Sequence, residues 1–224
     1  MNWLILAGGL GERIFPFSSI TPKCLLPING VPCVRHITDK LQDEGYDDIV
    51  LCINRWAEPH FKHEFRDTNI KFSISEGGLG TAGEIFTARK LITDTFGLIY
   101  GDDLTSMDHK GLETYHRKQA DASGTLALTD NVPLEVGVID IDKNNVINRF
   151  QEKPMINKPI WTGIAVLEPE ILNYVAPGKD VARDIFPKMI AEDKKLYGYL
   201  THDLWLDIGN FAHFKRTEEL LKSV

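Results

Sequence analysis

A glycine-rich turn that directly follows an apolar segment near the N-terminus restricts the fold more than any other feature. Residues 3–7 are apolar, and Gly8, Gly9 and Gly11 come after them. Glycines in this position let the backbone approach phosphate oxygens and direct its N–H groups at them. Because a simple tight turn uses the same residue type, the turn alone leaves a phosphate-binding loop and a plain connection open.

Two common phosphate-binding motifs do not fit this turn. A dinucleotide-binding fingerprint has a third glycine that opens a helix, where this chain has Glu12 and Arg13. A Walker loop ends in Gly-Lys followed by Ser or Thr, and the turn has no such sequence. If the turn binds phosphate, it therefore belongs to another kind of site.

Short apolar segments alternate with amphipathic segments through the first half of the chain. Strands are predicted at residues 3–7, 49–53, 72–74 and 98–100, and helices at 31–41 and 82–91. In the second half, strands are predicted at 124–129, 136–141, 146–150, 164–167 and 196–200, and helices at 169–174, 181–192 and 210–223. This order predicts an α/β core with a parallel sheet, followed by an inserted, partly antiparallel half.

Composition argues against several classes of partner. The 224 residues carry 25 basic and 32 acidic side chains, a net charge of −7, which disfavours a surface for nucleic acid or for an anionic membrane. The three cysteines, Cys24, Cys33 and Cys52, show no metal-site spacing. No apolar run approaches the roughly 18 residues of a membrane span, and the N-terminus lacks a basic leader. We therefore expect a cytoplasmic protein with one domain.

The stretch from Leu6 to Pro27 resembles the signature of the sugar-1-phosphate nucleotidyltransferases. That signature reads roughly L-A-G-G-x-G-x-R-L-x-P-x-T-x-x-x-P-K-x-L-x-P, and the chain keeps its glycines, its arginine and its Pro-Lys pair at the same spacing. The chain departs from it at Ile14 and Ser18, where the family has Leu and Thr.

Later segments follow the order of the same family and extend the resemblance over nearly the whole chain. Residues 79–83 resemble its base-side loop, 100–103 its metal-binding G-D-[ND], 152–154 its E-K-P and 205–210 its W-x-D-I-G. The resemblance implies a Rossmann-like three-layer sandwich with a mixed, mainly parallel central sheet and a small inserted β-rich sugar-binding half. One domain is expected, with its nucleotide-binding half at about residues 1–105 and its sugar-phosphate-binding half at about 106–224, and without a C-terminal β-helix.

The resemblance also implies a reaction, in which an NTP and a sugar 1-phosphate give an NDP-sugar and pyrophosphate, and it assigns residues to that reaction. The implied catalytic residues are Arg13, Lys23, Asp102, Lys153 and Asp207. The implied nucleotide-binding residues are Leu6, Ala7, Gly8, Gly9, Gly11, Arg13, Lys23, Glu76, Gly80, Thr81 and Asp102. The implied sugar-phosphate-binding residues are Gly137, Glu152, Lys153 and Thr162. The expected partners are therefore two small molecules, and a homo-oligomer is left open.

The need for charge compensation explains these residue types. Both reactants are anions, so Arg13 and Lys23 are expected to neutralise the triphosphate. Asp102 and Asp207 each follow an apolar segment, and carboxylates at one edge of a sheet can share Mg²⁺ with substrate phosphates. Asp103 is the alternative ligand, but a local capping or hydrogen-bonding role is predicted for it.

The sequence leaves the base and the sugar open. A carboxylate at Glu76 could accept hydrogen bonds from guanine N1–H and N2–H together, whereas many relatives place the base-reading residue at the position of Ser75. The phrase Leu-Gly-Thr-Ala-Gly at 79–83 is common in mannose- and heptose-1-phosphate guanylyltransferases, which favours GTP. The alternatives are uridylyl or thymidylyl transfer to another sugar 1-phosphate, phosphocholine cytidylyl transfer and a catalytically silent regulatory homologue. Because all five implied catalytic residues are present, the silent homologue is disfavoured.

Overall fold

The computed structural model describes residues 1–130, 132–134, 136–156 and 158–221. The strands are β1 (Asn2–Leu6), β2 (Pro27–Ile28), β3 (Val31–Pro32), β4 (Ile49–Asn54), β5 (Lys71–Ser75), β6 (Phe96–Tyr100), β7 (Asp103–Thr105), β8 (Ala122–Thr129), β9 (Val138–Ile141), β10 (Ile147–Gln151), β11 (Ile160–Leu167), β12 (Lys195–Leu200) and β13 (Trp205–Asp207). The α-helices are α1 (Cys33–Asp43), α2 (Glu58–Glu64), α3 (Gly80–Ala88), α4 (His109–Arg117), α5 (Phe186–Ala191) and α6 (Phe211–Leu221).

The central sheet has seven strands in the order β12-β8-β11-β6-β1-β4-β5. Strand β1 pairs in parallel with β4 and β6, and β4 pairs in parallel with β5. Strand β11 runs antiparallel to β6 and β8, so the sheet is mixed but mainly parallel, as predicted. Since Leu6 lies opposite both Cys52 and Tyr100, the carboxyl ends of three neighbouring strands meet at one edge. The loops that leave this edge hold the candidate site.

Helices cover both faces of the sheet and complete the three layers. Because side chains of a strand alternate between its two faces, Trp3 and Ile5 of β1 enter one core while Leu4 and Leu6 enter the other. The first core includes side chains of α1, α2 and α4, and the second includes side chains of α3 and α5. The nearly continuous apolar runs of the central strands therefore reflect burial on both faces.

Two small sheets complete the second half. Strands β9 and β10 form an antiparallel hairpin whose residues are mostly exposed. Strands β7 and β13 pair antiparallel, with Asp103 opposite Asp207. This second pairing joins two parts of the chain that are far apart in sequence and places both of them next to the sheet edge.

Several predicted elements differ from those observed. Residues 31–32 form β3 instead of the first turn of the predicted helix, because they pair with β2. The predicted helix at 169–174 is a 3₁₀ segment, Pro169–Asn173, and the one at 181–192 starts as a π-helix, Val181–Ile185, before α5. The predicted helix at 210–223 corresponds to α6, and its last two residues lie outside the described residues.

Helices α2 and α4 are absent from the sequence-based prediction. Helix α4 buries His109 and His116 together with Leu112, so its inner face lacks the periodic apolar residues that indicate a helix. Its start is nevertheless marked by Asp108, whose side chain accepts a hydrogen bond from the Lys110 N–H. Within the described part of the chain, no helix combines the length and the apolar character that a membrane span requires.

Candidate active site

The glycine turn leaves β1 at the carboxyl edge of the sheet, and buried polar side chains hold it. The Gly8 N–H donates to Glu84 Oε2 at 3.2 Å, and the Gly8 carbonyl accepts from Asn54 Nδ2 at 2.9 Å. Gly11 has φ +65°, and a Cβ there would lie 3.0 Å from the Ser18 Cβ. The conformation of the turn is therefore fixed by the protein's own contacts, and position 11 requires glycine.

Arg13 and Lys23 follow the turn in two short 3₁₀ segments, Glu12–Ile14 and Lys23–Leu25. The Lys23 ammonium forms an ion pair with the Asp102 carboxylate, in which both side chains are less than a quarter exposed. Burial opposes the charge on Lys23, but the facing Asp102 outweighs this effect, and the pKa of Lys23 is raised. A predicted phosphate-binding cation and a predicted metal ligand thus lie in direct contact.

Three aspartates gather where β7 meets β13. The Asp102 carbonyl accepts a hydrogen bond from the Ile208 N–H at 3.0 Å, which ties the end of β6 to the end of β13. Burial and the charge of Asp102 raise the pKa of Asp207, although Lys23 partly offsets them. Asp103 is buried against Gly163, where a Cβ would lie 2.1 Å from the Asp103 Oδ2.

Asp102 and Asp207 fit the way that proteins hold Mg²⁺. This ion is usually bound by one or two carboxylates together with substrate phosphates. Its positive charge offsets the repulsion between two carboxylates that lie close together. Burial, and after it the charge of Asp102, raises the pKa of Asp207. The described residues contain no group of three or more His, Cys, Asp and Glu side chains that would form an all-protein metal cage. The ligand roles of Asp102 and Asp207 stay a prediction.

A cavity of about 520 Å³ opens beside the glycine turn. Its lining includes most of the predicted nucleotide-binding residues, namely Leu6, Ala7, Gly9, Gly11, Arg13, Lys23, Thr81 and Asp102. Glu84, Tyr100 and Gly209 line the same cavity. The structure thus brings together residues from the turn, from the 3₁₀ segments and from the end of β6.

The residues predicted to read the base lie outside that lining. The Glu76 side chain is 80% exposed and forms an ion pair with Arg55 at 3.3 Å. Ser75 is buried at the end of β5, and its hydroxyl lies 3.4 Å from the Ile53 carbonyl, to which it donates. The structure therefore places neither Glu76 nor Ser75 in the cavity, and their base-reading roles stay predictions.

Hydrogen bonds hold the start of α3 to the start of the π-helix. The Thr81 hydroxyl donates to Asp180 Oδ2 and accepts from the Val181 N–H, both at 2.8 Å. Gly80 has φ +70°, and a Cβ there would lie 2.3 Å from the Lys179 carbonyl oxygen. The start of α3, which contributes Thr81 to the lining of the cavity, is therefore held by a segment 100 positions further along the chain.

A second cavity, of about 500 Å³, borders Asp207. Its lining includes Asp207 and, from neighbouring elements, Val132, Pro133, Met155, Asp203, Leu204, Trp205, Leu206, His213, Arg216 and Thr217. The Nδ1 of His213 lies 3.8 Å from Asp207 Oδ2. Asp102 lines the first cavity and Asp207 the second, so each member of the acidic pair borders a different cavity, and the two cavities are similar in size.

The predicted sugar-phosphate residues do not line this second cavity. Gly137 and Glu152 are neighbours, since a Cβ on Gly137 would lie 3.1 Å from Glu152 Oε2. Lys153 is exposed and has φ +43°, so the chain bends just before Pro154. The buried Thr162 donates its hydroxyl to the Ala127 carbonyl at 3.0 Å. The sugar-binding roles of these four residues stay predictions.

Sequence reasoning missed Glu84 and Asn54. Glu84 is only 8% exposed, and burial raises its pKa to about 8, helped by the charge of Asp102 and opposed by the Gly8 N–H. The available signal was a carboxylate beside the apolar residues Ala82 and Ile85 of a predicted helix, since a lone acid there is rarely buried without a purpose.

An α/β sheet with a glycine turn, two cations and an acidic pair at the carboxyl ends of its parallel strands has the architecture that is typical of nucleotide-binding folds. Residues 2–223 match the family described as Nucleotidyl transferase, and the chain belongs to this family. The recognition made from the sequence motifs is thereby confirmed.

The relatives carry several different names. The chain is 30% identical to mannose-1-phosphate guanyltransferase 2 of Candida glabrata, over 96% of this chain and 63% of that protein. It is 32% identical to the UTP–glucose-1-phosphate uridylyltransferase of Synechocystis sp., over 96% of this chain and 61% of that protein. The chain thus spans about three fifths of the length of these relatives.

Solved structures share the fold over their whole length. HddC from Yersinia pseudotuberculosis, 25% identical, superposes with a TM-score of 0.78 over 98% of this chain and 99% of that chain. A structure of HddC in complex with GMP-PN is also similar, with a TM-score of 0.74, 24% identity and the same coverage. A putative glucose-1-phosphate thymidylyltransferase from Bacillus anthracis, 22% identical, gives 0.78 over 100% of this chain and 96% of that chain.

Proposed function

We propose that this protein is a sugar-1-phosphate nucleotidyltransferase, which joins an NTP to a sugar 1-phosphate and releases pyrophosphate. The observation that carries the proposal is that Asp102 lines the cavity beside the glycine turn while Asp207 lines a second cavity. A two-substrate transfer between phosphates needs one cavity for each reactant and charge compensation where the two phosphates meet. Membership of the Nucleotidyl transferase family supports the same reaction.

The residues of the first cavity would bind and orient the triphosphate. Arg13 and Lys23 supply positive charge beside the glycine turn, which offsets the repulsion between the two anionic substrates. An oxygen of the sugar phosphate forms a bond to the α-phosphorus, and the bond from the α-phosphorus to the bridging oxygen breaks. The pyrophosphate leaves with that electron pair. Mg²⁺ held by Asp102 and Asp207 would neutralise charge at the α-phosphate.

Pyrophosphate release tests this reaction directly. The purified protein is assayed with Mg²⁺ and each common NTP, including dTTP, against mannose, heptose and glucose 1-phosphates and phosphocholine. We expect release with at least one sugar phosphate, and a loss of roughly 100-fold or more in kcat for Asp102→Asn and for Asp207→Asn. The exposed Asp43→Asn on α1 is the matched control, with an unchanged rate. Nucleotide binding without turnover of any pair would instead identify a silent homologue.

For the substrates, we propose GTP together with mannose or heptose 1-phosphate. Support comes from the Leu-Gly-Thr-Ala-Gly segment at 79–83 and from relatives named mannose-1-phosphate guanyltransferase. The relative named as a uridylyltransferase has a similar identity, so UTP with glucose 1-phosphate is the competing pair. Release of pyrophosphate from UTP but not from saturating GTP with mannose 1-phosphate would refute the guanine assignment.

A further inference from the structure

The Gly8 peptide is held on both sides by buried side chains from different elements. Glu84 of α3 accepts its N–H at 3.2 Å, and Asn54 of β4 donates to its carbonyl at 2.9 Å. Asn54 is itself oriented by the Ala57 N–H, which donates to its Oδ1 at 2.8 Å. The fit to Glu84 is close, because a Cβ on Gly8 would lie 2.9 Å from Glu84 Oε1.

Glu84 also lines the cavity in which the nucleotide would bind. The residue is 8% exposed, and burial raises the pKa of its carboxyl to about 8, so the carboxyl is mainly uncharged at neutral pH. The titratable groups that act on it or share its cavity come from β4, from the end of β6 and from the two 3₁₀ segments. They are Cys52, Tyr100, Asp102, Glu12, Arg13, Lys23 and Cys24. Burial keeps the two thiols and the phenol uncharged, because it raises the pKa of each.

We propose that Glu84 is a positioning residue for the nucleotide, which holds the glycine turn through Gly8 and allows tight nucleotide binding only while its carboxyl carries a proton. The inference rests on the proposed function, since it requires that the cavity bind an NTP. An ionised Glu84 adds a negative charge to a cavity that Glu12 and Asp102 also line and that must accept a polyanion. In the protonated form, its carbonyl oxygen still accepts the Gly8 N–H and the charge is absent.

The proposal predicts that nucleotide binding takes up a proton at alkaline pH. If only the protonated form binds, the Kd for an NTP changes little up to about pH 7 and rises by about tenfold between pH 7 and pH 9. Glu84→Gln keeps an oxygen that accepts the Gly8 N–H and cannot ionise. The Kd of this variant is therefore expected to rise less than that of the wild type between pH 7 and pH 9. The difference between the two rises is the part that ionisation of Glu84 causes.

Isothermal titration calorimetry of GTP and of UTP with Mg²⁺ measures both quantities at pH 7, 8 and 9. Repeating the pH 9 titration in buffers of different ionisation enthalpy gives the number of protons taken up. We expect the wild type to take up close to one proton more than Glu84→Gln. Protons that the nucleotide itself takes up or releases are common to both proteins and cancel in this difference. The exposed Asp43→Asn serves as the matched control and follows the wild type.

Two results overturn the inference in distinguishable ways. Equal proton uptake by the wild type and Glu84→Gln, with parallel Kd profiles, refutes the role of Glu84 and leaves the proposed function standing. If neither GTP nor UTP binds at pH 7, both proposed substrate pairs are refuted and the inference with them. Glu84→Ala separates positioning from charge, because the Gly8 N–H loses its acceptor and affinity is expected to fall at all three pH values.

Discussion

Replacing Glu84 by Gln is expected to stabilise the protein increasingly as the pH rises. The carboxyl of Glu84 is buried, and its pKa lies at about 8 against an ordinary value of 4.5. Between these two values the folded protein keeps a proton that the unfolded chain has already released. The unfolded chain therefore binds fewer protons, and the free energy of unfolding falls as the pH rises through this window.

The size of the effect follows from the two pKa values. Between the two pKa values, the free energy of unfolding falls by about 1.4 kcal/mol for each pH unit. The accumulated loss approaches about 5 kcal/mol by pH 8 and then levels off. This loss is a large part of the roughly 5–15 kcal/mol that typically stabilises a folded domain. Because Gln does not ionise, the variant lacks this loss.

Urea unfolding at pH 5, 6, 7 and 8 provides the assay, since the difference between the two proteins removes contributions from all other titrating groups. The free energies of the wild type and Glu84→Gln should diverge steadily with pH, with the variant more stable at pH 8. Asp43→Asn, an exposed carboxylate substitution, should run parallel to the wild type. If the curves of the wild type and Glu84→Gln are parallel from pH 5 to pH 8, Glu84 is not a buried, protonated carboxyl and the reasoning fails.

Three further substitutions test other contacts. Gly163→Ala should destabilise the protein by about 2 kcal/mol or more in urea unfolding, because φ is +79° and the new Cβ meets Asp103 Oδ2. An unchanged midpoint would contradict that packing. Thr81→Val should lower the free energy of unfolding by about 2 kcal/mol, because it removes the hydrogen bonds to Asp180 and the Val181 N–H. Thr87→Val in α3 is the matched control. It removes a single hydrogen bond to the Gly83 carbonyl and should lower the free energy of unfolding by less. Lys23→Met should reduce pyrophosphate release roughly 100-fold, because it removes a buried cation from the nucleotide cavity. Full activity in that variant would exclude Lys23 from charge compensation.

The central sheet was predictable because its strands obey a local rule. Strands such as β1 are short, apolar and followed by a turn, and they alternate with helices at regular spacing. Helix α4 escaped the prediction because two of its inner positions are His109 and His116, which hydrogen-bond to Glu44, Thr125 and Glu168 and are not apolar. Periodicity detects burial by hydrophobicity alone, so a helix face buried through hydrogen bonds gives no signal.

The acidic pair shows a different limit of sequence reasoning. Each aspartate is visible as an acid after an apolar segment, but the pairing that joins them is made by β7 and β13, which have three residues each. A strand of three residues carries no readable alternation, so its partner cannot be deduced. Glu76 shows a related limit, because its position in the motif indicates neither its exposure nor its ion pair with Arg55.

The missing side chain at Gly8 and the buried carboxyl of Glu84 depend on each other. The glycine was assigned to phosphate contact from its place in the turn, yet its N–H donates to Glu84 and its carbonyl accepts from Asn54. A side chain at position 8 would have to displace the carboxyl of Glu84, because a Cβ would lie 2.9 Å from Glu84 Oε1. The absence of a side chain at position 8 is therefore what allows a carboxyl to be buried beneath the turn. Since 76 positions separate the two residues, only the folded chain reveals that the glycine is needed for the protein's own acid.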